Sequence, residues 1–184
     1  MTPNMSDRLD SIIQAMSDVI LPAIDSQQSL AREQAGLVMA HLNMIRAQLP
    51  LVDSFEHVEL NAAKALASSL IPLARGGAQT SATRAQLEAL MQQSAATTSV
   101  DRQTSLAALN AAMEDLVRHS RVDGEAGAAA HIAAQVLIAT QQSAQRNRIW
   151  FNGSGFDAQQ DELPLRRTLL SDGAGEGGAT GDVV

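Results

Sequence analysis

From Met5 to Pro50 the chain repeats apolar residues every three or four positions. Leu9, Ile12, Ile13, Met16, Val19 and Ile20 form the first run. Ile24, Leu30, Leu37, Val38, Leu42, Met44, Ile45 and Leu49 continue it. That spacing places the apolar side chains along one side of a helix. Asn4 or Ser6 caps its start, and Asp7 complements the dipole of the first turn. Pro22 lacks the N–H that an unbroken helix needs and clashes with the preceding turn. The helix therefore either kinks there, or ends near Leu21 and restarts at Asp25 or Ser26. The second segment closes near Gln48, because Pro50 disfavours helix at the residue before it.

The same period continues. Asp53 or Ser54 caps a helix through Ala62, Leu66, Leu70 and Leu73 that stops at Gly76-Gly77, with Pro72 in its last turns. Thr80 or Ser81 opens the next, carrying Leu87, Leu90 and Met91. The polar run from Ser94 to Ser99 is a loop or a soft point in one long helix. Leu106, Leu109, Met113, Leu116 and Val117 resume the stripe to about Ser120. Asp123-Gly124-Glu125 makes a turn, and an alanine-rich helix follows to Trp150. From Asn152 the chemistry changes to that of a linker, with a glycine-rich end over 171–184 expected to be disordered. Between them Glu162 to Leu170 is a short amphipathic island. It reads as a strap across the bundle, or as a peptide that docks on a partner.

Composition strengthens the helical reading. Aromatic residues make up 2% of 184 residues, tyrosine is absent, and alanine and leucine carry the apolar share. Alanine loses no side-chain entropy in a helix, whereas sheets favour aromatic and β-branched residues. The expected fold is all-α: an up-and-down helical bundle of four to six helices, with the first helix kinked or broken at Pro22 and an irregular C-terminal tail. Residues 1–151 form the bundle domain, and 152–184 the linker, amphipathic segment and tail.

Charge and cysteine content narrow the function. A net charge of -7 repels phosphate backbones, so no nucleic-acid partner is expected. The absence of cysteine excludes disulfides, thiolate catalysis and cysteine-bound zinc. No signal peptide is evident, and the most apolar window, Ala126 to Thr140, is too short to span a membrane and is interrupted by His131 and Gln135. A cytoplasmic protein is expected.

Catalytic chemistry is sparse. Bundles that hold metals use carboxylates with a Glu-x-x-His spacing, which this chain lacks. Gly153-Ser154-Gly155 has no flanking strand, and no Gly-Lys-Ser/Thr follows Gly76-Gly77. No catalytic residue, metal site or cofactor is assigned. His41 and His119 lie near apolar stripes and read first as hydrogen-bonded histidines at the core edge. The alternative reading is a ligand site or metal-assisted enzyme inside the bundle, built from Arg32, Glu33, His41, Arg46 and His119. Arg146 and Arg148 beside Trp150 and Phe151 complement a helix end and plug it, or form a partner-binding hot spot. Leu163, Leu165 and Leu169 of the island complete the candidate partner surface.

Val19-Ile-Leu-Pro-Ala-Ile-Asp25, Leu30-Ala-Arg-Glu-Gln-Ala35 and Val38-Met-Ala-His-Leu-Asn-Met-Ile-Arg46 resemble the N-terminal half of a family of small helical bacterial proteins. These are encoded beside acyl-CoA dehydrogenases and kinases of the aminoglycoside-phosphotransferase type. The resemblance covers about 45 residues. It implies an accessory role near acyl-CoA metabolism and brings no catalytic residues with it. The leading expectation is a non-enzymatic accessory protein that binds itself or a partner protein.

Overall fold

The computed structural model describes residues 4–94 and 101–151. The glycine-rich tail, the amphipathic island and most of the polar run after Ser94 lie outside the described residues. The fold is all-α, an up-and-down helical bundle, and the described residues contain no strand, only one isolated bridge between Gly76 and Gly124. The helices are α1 (Met5–Ala15), α2 (Leu21–Ala23), α3 (Ser29–Gln48), α4 (Val52–Leu70), α5 (Ala78–Ser94), α6 (Arg102–Asp123) and α7 (Ala128–Trp150). Whereas the sequence pattern reads 1–151 as one bundle domain, the described residues group into two compact units, one of 4–52 with 147–151, the other of 53–94 with 101–146.

In the first unit Asn4 caps α1. Its Oδ1 accepts the Asp7 N–H at 2.9 Å, and the Asp7 carboxylate accepts the Asn4 N–H at 3.1 Å. The helical run passes through Pro22 and ends one residue beyond it, at Ala23. A π turn, Met16–Ile20, comes just before the proline, with the Leu21 N–H donating to the Met16 carbonyl. A wide turn beside proline is one way to place a residue that has no donor of its own. Ile24 is already extended. The restart falls at Ser29, later than Asp25 or Ser26, because Asp25 closes a turn instead: its Oδ1 accepts the Gln27 N–H at 2.8 Å. α3 ends at Gln48 as Pro50 requires. Asp10 of α1 and Arg46 of α3 form an ion pair at 2.6 Å, joining the middle of α1 to the end of α3. The two helices therefore run antiparallel.

In the second unit, Asp53 is not an N-cap but sits within the first turn of α4, since a 3-10 turn, Leu49–Leu51, already leads the helix in. Pro72 tightens the exit of α4 into another 3-10 turn, Ile71–Leu73, rather than kinking it. Polar bonds fix the directions. Glu56 accepts from Gln103 at 2.5 Å, so α4 and α6 begin together. Asp123, ending α6, bonds the first residues of α5, and Glu59 early in α4 meets Arg146 late in α7. Successive helices α4 to α7 thus alternate up and down.

Leu60, Ala63, Ala67 and Leu70 of α4 pack with Leu87, with Leu109, Ala112, Met113 and Leu116 of α6, and with Ile132 of α7. Each fully buried leucine contributes about 1.5–3 kcal/mol through removal from water. This core contains no aromatic ring.

Candidate functional site

α7 is deeply buried only at Ala128 and Ile132. Over its later turns it borders a cleft of about 420 Å³ against α4 and α6. Ala62 and Leu66 of α4 form one wall, with Leu106 and Met113 of α6 and Ile138 of α7 opposite. Asn110, Gln135, Gln142 and Ser69 add neutral polar groups. At one margin Arg146 Nε donates to Glu59 Oε1 at 2.6 Å, and both side chains are about four-fifths buried. A pair withdrawn this far from water is held more firmly than a surface pair, though desolvation takes back much of the gain. The cleft combines small apolar walls with a fixed charge pair and carboxamides, a lining suited to a small amphipathic molecule.

A second polar cluster ties the exit of α6 to the entry of α5. Asp123 accepts from the Gln79 N–H at 2.8 Å, the Thr80 N–H at 3.1 Å and the Thr80 hydroxyl at 2.5 Å. It supplies from 43 positions away the N-cap that Thr80 or Ser81 was expected to provide locally. The Thr80 hydroxyl bond, followed by the two backbone donors and the nearby His119, holds the Asp123 carboxyl below the usual carboxylate range, against the opposing effect of burial. The Gly77 N–H also donates to the Asp123 carbonyl at 2.7 Å, and the Glu125 N–H to the Arg75 carbonyl at 2.9 Å. His119 Nδ1 lies 2.7 Å from the Thr83 hydroxyl, which is itself 3.0 Å from the Gln79 carbonyl. With its own proton directed to that carbonyl, the hydroxyl accepts from Nδ1–H. The cluster is a structural staple whose groups bond chiefly to one another.

No protein-family model, curated protein or solved structure matches this chain. The assignment of a role therefore rests on where the side chains lie.

The candidate ligand residues divide between the units. His41 is exposed on α3, its Nδ1–H donating to the Leu37 carbonyl at 2.8 Å, rather than facing a core. Arg32 and Glu33 are exposed, and Arg46 is engaged by Asp10. His119 belongs to the second unit and to the staple. Among the described residues no three His, Asp or Glu side chains gather to hold a metal ion. Of the candidate partner residues, Arg146 turns inward to Glu59, and the Trp150 carbonyl accepts from Gln48 Nε2 at 2.7 Å. Arg148 has interactions within the fold, and Phe151 is exposed. Leu163, Leu165 and Leu169 lie outside the described residues. Sequence reasoning missed Glu59, Asn110 and Gln135. A carboxylate beside a core leucine is the only local hint for Glu59, and its partner is 87 positions away.

The largest departure concerns the apolar stripe between Met5 and Pro50. Its helices form as predicted, yet only Leu9 and Ala35 are buried in α1 to α3. Ile12 is 51% exposed, Val19 64%, Leu30 69% and Val38 48%, with Met5, Leu37 and Ile45 also open. No helix among the described residues is long and apolar enough to cross a membrane.

Proposed function

We propose that this is a non-enzymatic, cytoplasmic helical-bundle accessory protein that acts through protein–protein contacts made by its first unit. One observation carries the reading: a strongly apolar helical stripe that has the period of a core but remains in solvent. Contiguous exposed apolar surface on a small protein marks an interaction site. The likeness of residues 19–46 to the small helical proteins encoded beside acyl-CoA dehydrogenases adds a place near acyl-CoA metabolism to this proposal. Affinity capture with the full chain tests it. Wild type should retain a specific protein, itself or another, that the Ile12→Asp/Val38→Asp chain loses. Equal capture by both chains contradicts the reading.

The α4–α6–α7 cleft favours a second reading, a small-molecule site in the second unit. Ligand-dependent thermal shifts abolished by filling the cleft with Ala62→Phe would support it. An unchanged melting profile across a broad amphiphile panel would remove it.

A further inference from the structure

On a helix each residue turns the chain by about 100°. Around α1 the buried Leu9 and half-buried Ile13 mark the inner side. Met5 and Ile12 lie about 80° from that side, and Val19 continues their line. Around α3 the buried Ala35 with half-buried Ala31, Met39 and Leu42 marks the inner side, while half-buried Ala40 and Met44 lie across the helix from it. In one rotational sense from the inner side, Val38 and Ile45 lie about 55–75° away and Leu30 and Leu37 about 135–155°. Because the helices are antiparallel, both rotations lead to the same side of the hairpin. The Asp10–Arg46 ion pair falls on the opposite side by the same construction. The exposed residues therefore make one continuous face.

Two features of that face select its occupant. First, Met5, Ile12 and Val19 are spaced by seven, as are Leu30 and Leu37, and Val38 and Ile45. That is the period of a helix seam which closes on other helices. Second, no Asp or Glu falls within the arc of the face, Glu33 lying about 40° beyond Leu37; Arg8, Gln34 and His41 are its polar members. On a chain of net charge -7, this is where two copies approach without setting carboxylates against each other. Half-exposed aliphatic side chains leave roughly 50–100 Å² each in water. The face then offers roughly 400–800 Å² per copy, which reaches the size of a standard interface. We infer that the hairpin of α1 and α3 pairs face to face with the hairpin of a second copy of this chain, the two forming a four-helix layer about a two-fold axis. This pairing rests on the protein-contact proposal and names the partner for it.

The absence of cysteine from the chain allows a direct test. Full-length Val19→Cys and Val38→Cys chains should each be captured as dimers by a bismaleimide, and Gln14→Cys, on the other side of α1, should not. Sedimentation equilibrium of the wild type should give twice the chain mass. Val19→Asp/Val38→Asp should weaken that association by about a hundredfold or more while helical circular dichroism is unchanged. A wild-type monomer overturns the inference, and so does a dimer indifferent to both aspartates. If the monomer still loses a captured partner in the aspartate chain, the protein-contact proposal survives without a second copy as its partner. If capture is also unaffected, both fall.

Discussion

Asp123 shows how much one side chain organises here. It ends α6, caps α5 and sets the close approach of two turns. Its carboxyl is held below its ordinary value of 3.8, so the unfolded chain takes up the proton first as pH falls. The stability that the carboxylate supplies is complete above roughly pH 5 and is lost as pH drops through the folded value. Urea midpoints between pH 2 and 6 should therefore fall less steeply with acid in Asp123→Asn than in wild type, from a lower starting point. Gly76 is the second such residue. A Cβ there would meet the Asp123 carbonyl oxygen at 2.5 Å and the Gly124 Cα at 2.7 Å. Both are backbone atoms that cannot swing aside. Gly76→Ala should cost about 1–3 kcal/mol of unfolding free energy, whereas Gly36→Ala, with open space at its Cβ, should stabilise by about 0.5–1 kcal/mol through helix propensity. Chemical denaturation measures both.

Among the elements, Pro50 marked the end of α3, and the period of three and four found Leu109, Met113 and Leu116 of the α6 core but only Leu70 of the buried α4 face, missing Leu60 and Ala67. Leu116 is fully buried and Leu137 is 71% exposed, although both sit in apolar helical runs. Leu116→Ala should destabilise by about 2–5 kcal/mol and Leu137→Ala by less than about 0.5 kcal/mol. Periodicity finds the apolar side of a helix but not what covers it, and for that reason the Met5–Pro50 stripe was legible as helix and illegible as surface. Pro22 was legible as a disruption. The π turn before it depends on how the backbone relaxes around a missing donor, which spacing does not encode. The remote cap of α5 and the Glu59–Arg146 pair were illegible for a further reason: each joins residues far apart in the chain, and nothing local distinguishes those side chains from other surface groups. A double-mutant cycle on Glu59→Gln and Arg146→Gln should return a coupling of about 1 kcal/mol, reduced by salt only modestly because both groups are largely buried.

For the whole molecule, the two units have different physical character. The second buries a continuous aliphatic core and encloses a cleft. The first has helices of core-like pattern with almost nothing buried. An apolar face without acidic groups, on an acidic chain, fits a protein that completes part of its core by association. His119 is bonded through Nδ1 within the staple and His41 is exposed on the other unit, so the protein-contact reading has the most surface behind it. Light scattering of the full-length chain over about a hundredfold range of concentration puts self-association to the test. Twice the chain mass is expected at the upper end, falling to the chain mass on dilution and lost in Val19→Asp/Val38→Asp. A single chain mass throughout, identical for wild type and variant, would contradict pairing of the hairpins.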